Sequence, residues 1–407
     1  MVNLGFWSKI EKPILCLAPM ADVTDSAFRR VIASCSNNSL DTFSSLGTDI
    51  FLLENSSARP SRPAQGPLGE VSREYFNNYV TWTEFVSADG LVLAHEEGKK
   101  KLLKDLEYSE IERPIVAQLF GSRPENMRKA AYLVASLGFD GLDINMGCPD
   151  KSIEKQGAGA AMIKNPRLAR EVIRAAKEGV EEYAKEQGKE AIPVSVKTRL
   201  GYNKDELEGP ARPDGTMGGW LPELLAEEPA VITIHARTRK EMSKVPARWE
   251  RIKEAVEIRN TLPFGEGVGG GATLIFGNGD VDSVADAYAK AEATGCDGVM
   301  LGRAIFGNPF LFANLATAKQ SSQIEHPAKL LAKSDNIDPQ LKLKALLAHI
   351  KLFDQNLGKV KSFAVMKKHF KSYLSGLPDV HDLKEELMNA ESAESAILAL
   401  EKYLGYN

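Results

Sequence analysis

Short apolar runs alternate with stretches of helical spacing along the first three quarters of the chain. Eight runs rich in apolar and β-branched residues occupy positions 14–18, 79–83, 114–119, 141–145, 192–197, 231–235, 273–276 and 298–301. Segments with helical spacing follow several of them, at 26–33, 124–137, 166–180, 281–293 and 304–317. Strands that alternate with helices pair in parallel. Eight such units predict an α/β fold, a closed (β/α)8 TIM barrel. An open doubly wound sheet is the alternative.

The pattern changes after the eighth unit. Residues 318–339 are polar and show no period, which predicts a linker. Four segments with helical apolar spacing follow, at 341–353, 362–374, 380–388 and 393–404. The predicted organisation is therefore a barrel over residues 1–317, a linker over 318–339 and a small all-helical C-terminal domain over 340–407. Three connections within the barrel are long, at 37–72, 202–220 and 262–271.

Composition narrows the class of protein. The chain has 407 residues, 43% of them hydrophobic and 26% charged, which suits one large globular domain with a smaller one. No apolar run approaches the roughly 20 residues of a membrane span, and the first twelve residues do not form a secretory signal. The four cysteines lie far apart, without the spacing of a disulfide framework or a metal site. We expect a cytoplasmic monomer without a metal.

Polar residues stand repeatedly where the predicted strands end. A lone histidine or lysine at such a position is usually satisfied locally or solvated. Active sites of these barrels, however, lie at the carboxyl ends of the strands, so a set of polar residues there predicts a concave polar site. The set comprises Pro19, Met20, Gln118, Asn145, Lys197, His235, Asn278, Gly279, Gly302 and Arg303.

The last two units predict what this site binds. Gly277, Gly279 and Gly302 lie where strands seven and eight turn into helices. Glycines there allow backbone N–H groups to approach an anion, and Arg303 is placed to contact a phosphate. Glycines that only shape tight turns are the alternative. Since both turns follow the units that usually hold phosphate in such barrels, we expect a phosphorylated cofactor.

The fourth unit supplies a reactive group. Cys148 follows the fourth strand directly and lies between Gly147 and Pro149, in a loop at the predicted mouth of the barrel. A thiol there could act as a nucleophile or as a general acid. Cys16, Cys35 and Cys296 fall within or beside strand and helix segments, and we expect them to be packing residues.

Several motifs together resemble those of the tRNA-dihydrouridine synthases, FMN-dependent (β/α)8 enzymes with a helical C-terminal domain. The resemblance covers nearly the whole chain outside the long loops. Its most specific parts are the cysteine loop and a His-x-Arg-Thr-Arg motif. The matching segments are 17–25, 117–121, 143–149, 157–160, 196–201, 235–239, 277–280, 298–303, 368–370 and 373–378. Ala236 stands where the family usually has glycine, and the long loops have no counterpart that we can align.

The resemblance implies a role for each matched residue. Cys148 is implied as the general acid that protonates C5 of the target uracil while hydride from FMN, recharged by NADPH, reaches C6. Asn145 and Arg199 are implied to contact that uracil. Pro19, Met20 and Ala21 would lie against the flavin ring, Gln118 and Lys197 at its polar edge, His235 nearby, and Asn278, Gly279, Asp280, Gly302 and Arg303 around the phosphate.

A basic segment fits a polyanionic substrate. Residues 341–373 contain eight lysines and one acid, a local charge of about +7, although the whole chain carries −4. A solvated helix face is the simpler explanation, but phosphate contacts to tRNA, with Lys367 and Lys368 among them, explain the charge better. Two other functions stay open from the residues: an FMN barrel acting on free pyrimidines, such as a dihydroorotate dehydrogenase, and a non-catalytic RNA-binding protein. The first leaves the lysines without a role, and the second leaves Cys148, Lys197 and His235 without one.

Overall fold

Eight parallel strands form one curved sheet. The computed structural model describes residues 2–37, 77–210, 217–261, 272–313, 315 and 337–406. Neighbouring strands follow the order β1-β8-β7-β6-β5-β4-β3-β2. A parallel bridge between Cys16 and Val80, with the Leu17 N–H 2.8 Å from the Val80 carbonyl oxygen, joins β1 to the segment that enters β2 and closes the barrel. The strands are β1 Ile14–Leu17, β2 Thr81–Ser87, β3 Ile115–Phe120, β4 Gly141–Asn145, β5 Val194–Arg199, β6 Val231–His235, β7 Leu274–Asn278 and β8 Gly298–Leu301.

Helices surround the sheet and continue beyond it. In the barrel they are α1 Ser26–Asn37, α2 Ala88–Leu93, α3 Glu96–Asp105, α4 Pro124–Ser136, α5 Lys151–Glu154, α6 Pro166–Gln187, α7 Trp220–Leu225, α8 Trp249–Thr261 and α9 Val284–Thr294. The C-terminal helices are α10 Pro339–Leu357, α11 Met366–Tyr373, α12 His381–Asn389 and α13 Ala393–Leu404. The α/β barrel fold is thereby confirmed, and helices follow it as predicted.

The barrel interior is filled from the N-terminal end of the strands. A short 3-10 helix, Gly5–Lys9, brings Trp7 against Trp82 and Phe276, with ring centroids 5.7 and 5.5 Å apart. Strand residues that face inward, such as Cys16, pack in this cluster, whereas the alternate residues pack against the helices. Since side chains alternate along a strand, strands such as β1 and β7 contribute to both layers and are buried throughout. The packed interior leaves the opposite end of the barrel for a site.

The C-terminal helices pack directly on α1. The Phe28 ring, part of a hydrophobic core that continues into the barrel, stacks on the fully buried His349 of α10, with ring centroids 4.9 Å apart. Next to it, Arg29 forms a fully buried ion pair with Glu112 at 2.7 Å. The polypeptide between the two parts, over 316–336, lies outside the described residues, so the domain and linker boundaries stay predictions.

Two predicted elements differ from the structure. The predicted strand 79–83 continues to Ser87, through a charged residue, Glu84. The predicted helix 304–317 is wrong over residues 304–313, where a 3-10 turn, Arg303–Ile305, is followed by further turns. Gly307 adopts a positive φ of 70°, and Pro309 disfavours helical backbone before it, so a helix cannot continue there.

Gly307 also marks a close approach between the two parts of the molecule. A Cβ atom at this position would lie 2.0 Å from the carbonyl oxygen of Ser372 in α11. Only glycine permits this contact, because its lack of a Cβ satisfies both the spacing and the positive φ. The long loops predicted at 37–72 and 262–271 lie outside the described residues, apart from Asn37, as do residues 211–216 of the third.

Candidate active site

The carboxyl ends of the strands surround a cavity of about 310 Å³. It opens where such barrels carry their active sites. Twelve residues predicted for the site line it: Pro19, Met20, Asn145, Cys148, Lys197, Arg199, His235, Asn278, Gly279, Asp280, Gly302 and Arg303. The structure thus brings together residues from six of the eight units. Ala21, Gln118, Lys367 and Lys368 lie outside the cavity lining.

Asn145, the last residue of β4, holds the loop that carries Cys148. Its Oδ1 atom accepts hydrogen bonds from the backbone N–H groups of Gly147, at 3.1 Å, and Cys148, at 2.9 Å. The Cys148 carbonyl oxygen accepts from the Ala160 N–H at 2.9 Å, so the loop is held from both sides. Burial raises the pKa of the Cys148 thiol, which is therefore protonated at neutral pH. A protonated thiol fixed in the cavity wall can donate a proton into the cavity.

Gln118 lies behind this loop. It is fully buried, its Nε2 atom donates to Asp143 Oδ2 at 2.6 Å, and its Oε1 atom accepts from Asn145 Nδ2 at 2.9 Å. Burial raises the pKa of Asp143 to about 6, so its carboxylate is largely ionised at neutral pH and accepts from Gln118. Asp143 therefore orients the Gln118 amide, and Gln118 orients Asn145. The side chain implied for the flavin edge is engaged in supporting the cysteine loop.

Three basic side chains from β5 and β6 face the cavity. Burial, and next the charge of Arg199, lowers the pKa of Lys197 to about 8, and its Nζ atom lies 3.2 Å from Asn278 Oδ1. Burial lowers the pKa of Arg199 to about 10, which leaves it charged. Burial and the neighbouring cations hold the pKa of His235 well below its usual value, so its ring is neutral. The cavity therefore offers positive charge and a neutral imidazole.

The turns after β7 and β8 form a charged cluster. Arg237 and Arg303 both donate to the Asp280 carboxylate, and the hydrogen bond from Arg237 is the main cause that lowers the pKa of Asp280. Gly279 has a φ of 118°, and a Cβ atom there would lie 2.9 Å from His235 Cδ2. The glycine is required by both constraints. Arg237 is buried and engaged with its neighbours, so the cluster presents the exposed guanidinium of Arg303 beside the glycine turns, a cation that suits an anion.

Arg237 and Phe85 also line the cavity and were missed from the sequence. Arg237 is part of the His-x-Arg-Thr-Arg motif, and membership of this motif was the sequence signal that could have placed it in the site. Its side chain is only 3% exposed, and its Nη1 atom lies 3.2 Å from His235 Nε2. Phe85 follows the predicted end of the second strand, and nothing in the pattern marks it.

The lysines of the segment 341–373 do not all face solvent. Lys367 is half-buried and Lys368 is exposed. Three lysines of the segment pair with carboxylates: Lys351 with Glu401 at 2.8 Å, Lys361 with Glu84 at 2.5 Å, and Lys368 with Asp22 at 3.3 Å. The charge available to an RNA is therefore smaller than the lysine count indicates.

The described part of the chain carries neither a candidate membrane span nor a candidate metal cluster. It contains no helix long and apolar enough to cross a bilayer. Nor does it contain a group of three or more histidine, cysteine, aspartate or glutamate side chains placed to hold a metal ion.

The family model and the relatives by sequence agree on one family. The Dihydrouridine synthase (Dus) family model matches residues 16–404. A "Probable tRNA-dihydrouridine synthase" of Staphylococcus aureus (strain COL) is 32% identical over 401 residues, which cover 98% of this chain and 95% of that protein. The "Probable tRNA-dihydrouridine synthase 2" of Bacillus subtilis (strain 168) is 32% identical over 98% of this chain and 96% of its own length. Among solved structures, morphinone reductase aligns with a TM-score of 0.40 and 11% identity, over 75% of this chain and 85% of that chain. From the family match and the identity over nearly its whole length, this chain belongs to the dihydrouridine synthase family.

Proposed function

We propose that this chain reduces specific uridines of tRNA to 5,6-dihydrouridine, with FMN bound at the barrel mouth and NADPH as the reductant. One observation carries the proposal: the protonated thiol of Cys148 lines the same cavity as the glycine turns after β7 and β8. A proton donor and a candidate phosphate site in one cavity suit a flavin enzyme that saturates a double bond. Family membership and the printed names of the relatives support tRNA uridine as the substrate.

The residues of the cavity fit FMN. The guanidinium of Arg303 and the N–H groups of the turns at Gly279 and Gly302 would hold the phosphate, while Asp280 positions the two arginines. Lys197 would face the polar edge of the flavin ring, and Pro19 and Met20 its face. When bound, FMN supplies the hydride that adds to C6 of the uracil.

Residues of the chain would stabilise the negative charge that develops on the uracil and supply the proton for C5. Hydride addition at C6 leaves negative charge on the C4 carbonyl oxygen and on C5 of the uracil, so a fixed cation lowers the barrier. Arg199 is such a cation: its Nε atom donates to the Gly147 carbonyl oxygen at 2.7 Å, which fixes it beside the cysteine loop. Cys148 would then give its proton to C5. Asn145 would orient the thiol through the loop that it holds.

The substrate reaches this site from outside the barrel. A uridine within folded tRNA is stacked, and the enzyme must extract the base to present C5 and C6 inside a cavity. Lysines of the C-terminal helices, Lys367 and Lys368 among them, would hold the tRNA backbone meanwhile. Free pyrimidines would need neither the extraction nor these lysines.

The decisive experiment uses purified protein with unmodified tRNA. We expect a yellow protein with the absorbance of oxidised flavin, which NADPH bleaches under anaerobic conditions and tRNA restores, with dihydrouridine found in the recovered tRNA. Dihydroorotate and free uracil serve as controls. Turnover of dihydroorotate without any of tRNA would contradict the proposal in favour of a free-pyrimidine enzyme. RNA binding without bound flavin would indicate a non-catalytic protein.

A further inference from the structure

One lysine of the basic segment is largely buried where the C-terminal helices meet the barrel. Lys361 lies in the turn after α10, and its side chain is 17% exposed. Its Nζ atom lies 2.5 Å from Glu84 Oε2 in β2 and 3.0 Å from Asp105 Oδ1 at the end of α3. These carboxylates raise the pKa of Lys361, so it stays charged. The lysine therefore joins the C-terminal helices to two elements of the barrel.

Glu84 reaches this position through an irregularity in β2. The register between β2 and β3 shifts between Trp82 and Phe85, which marks a bulge. Bulges redirect side chains and occur near active sites. Here Phe85 lines the cavity, while Glu84 is buried, its side chain 8% exposed. A carboxylate buried to this extent is unfavourable unless it is paired, and Lys361 is its cation.

The second carboxylate oxygen of Glu84 holds the loop that follows β1. Oε1 accepts a hydrogen bond from the Asp22 N–H at 2.6 Å. Asp22 has a φ of 54°, a left-handed conformation that non-glycine residues seldom adopt without support. The same loop carries Pro19 and Met20 in the cavity wall. Lys361, Glu84 and Asp22 thus form a connected chain from the C-terminal helices to the cavity.

We propose that Lys361 is a positioning residue for the cofactor site: it neutralises Glu84, which in turn fixes the loop after β1 in the conformation that lines the cavity. Contact between the C-terminal helices and the barrel is then a condition for tight flavin binding. The inference rests on the proposed function for the presence of FMN at the mouth, and it gives this lysine a role separate from RNA contact.

The test compares Lys361→Met with Lys359→Met. Lys359 is exposed in the same turn, so its replacement removes the same charge without touching Glu84. We measure the dissociation constant of FMN by quenching of flavin fluorescence, and the hydrogen exchange of the Asp22 amide in the flavin-free protein. For Lys361→Met we expect at least about tenfold weaker FMN binding, because a loop that is competent one tenth of the time raises the apparent Kd tenfold. We expect faster exchange of the Asp22 amide as well. Lys359→Met should match the wild type in both measurements.

A double variant separates positioning from general loss of structure. Glu84→Gln keeps an oxygen that can accept from Asp22 but removes the charge that needs a partner. Glu84→Gln with Lys361→Met should therefore bind FMN more tightly than Lys361→Met alone, and circular dichroism should show all variants folded. The inference would be overturned if Lys361→Met equalled Lys359→Met in FMN affinity and in exchange of the Asp22 amide. It would also be overturned if the double variant bound FMN more weakly than Lys361→Met. A wild-type protein that binds no flavin would refute the proposed function instead, and the exchange measurement would still test the loop.

Discussion

Replacement of Cys148 by alanine should separate the two halves of the catalytic cycle. Reduction of FMN by NADPH needs no proton from the loop after β4, whereas saturation of the uracil double bond needs one at C5. The Cys148 backbone is held by Asn145 and Ala160 through its N–H and carbonyl groups, so the alanine variant keeps the loop. General acid catalysis is worth about 10²–10⁴ in rate. We therefore expect near-normal flavin reduction and a loss of about 10²–10⁴ in reoxidation by tRNA.

The assay is stopped-flow absorbance of prereduced enzyme mixed with unmodified tRNA. Cys148→Ser should be nearly as slow, because a hydroxyl is a far weaker acid than a thiol. Alanine at Cys16, Cys35 or Cys296 should leave the rate unchanged, since these buried cysteines lie away from the cavity. Wild-type reoxidation in Cys148→Ala would refute the assignment of the general acid.

The pH dependence supplies a second criterion. A general acid acts in its protonated form, and burial raises the pKa of Cys148. The contribution of the thiol to the reoxidation rate should therefore stay constant past pH about 8.5, the usual pKa of cysteine, and fall only at higher pH. Lys197, with a pKa of about 8, titrates earlier. An inflection near pH 8 in both half-reactions would report the lysine, while one at higher pH in reoxidation alone would report the thiol.

Three other predictions concern the cofactor, the tRNA and the fold. Arg303→Ala should weaken FMN by about 1.5–3 kcal/mol, the value of a charge-assisted hydrogen bond, and riboflavin hardly at all; equal losses for both would remove the phosphate assignment. Lys367→Ala with Lys368→Ala should weaken tRNA binding and flatten its dependence on log salt by roughly one to two units; an unaltered slope would make both lysines a solvated face. Arg29→Met should destabilise the protein by about 3–5 kcal/mol in chemical denaturation, because it removes the closer of the two arginines that pair with the fully buried Glu112; a loss below 1 kcal/mol would contradict this.

Much of the barrel follows from local pattern. A strand such as β1 is buried along its whole length, so apolar residues occupy every position and the run is visible in the sequence. Residues such as Asn145 and His235 interrupt that pattern at the strand ends, which is why most of the cavity lining could be predicted. The glycine turns after β7 and β8 could be predicted too, because they also interrupt the apolar pattern where a strand ends.

Features that depend on distant partners could not be predicted. The predicted second strand ends one residue before Glu84, and the lysine that neutralises this buried carboxylate lies 277 positions away. Phe85 also lies beyond the predicted end of this strand, so the sequence did not mark it as a residue of the cavity. The lysine count overstated the free charge of the C-terminal segment for a related reason: Lys361 and Lys351 meet carboxylates from other elements.

The contact between Gly307 and Ser372 has a consequence for how the protein would select a uridine. Backbone meets backbone there, with no side chain that could rotate to let the two parts slide. Together with the stacked rings of Phe28 and His349, it holds the C-terminal helices against the barrel that carries the cavity. If this packing keeps the distance between the helix surface and the cavity constant, only a base whose separation from the bound tRNA backbone matches that distance can enter the cavity. Under the proposed function, the tRNA must then deform to fit the enzyme. The uridine that is modified is the one that the tRNA architecture places in the cavity.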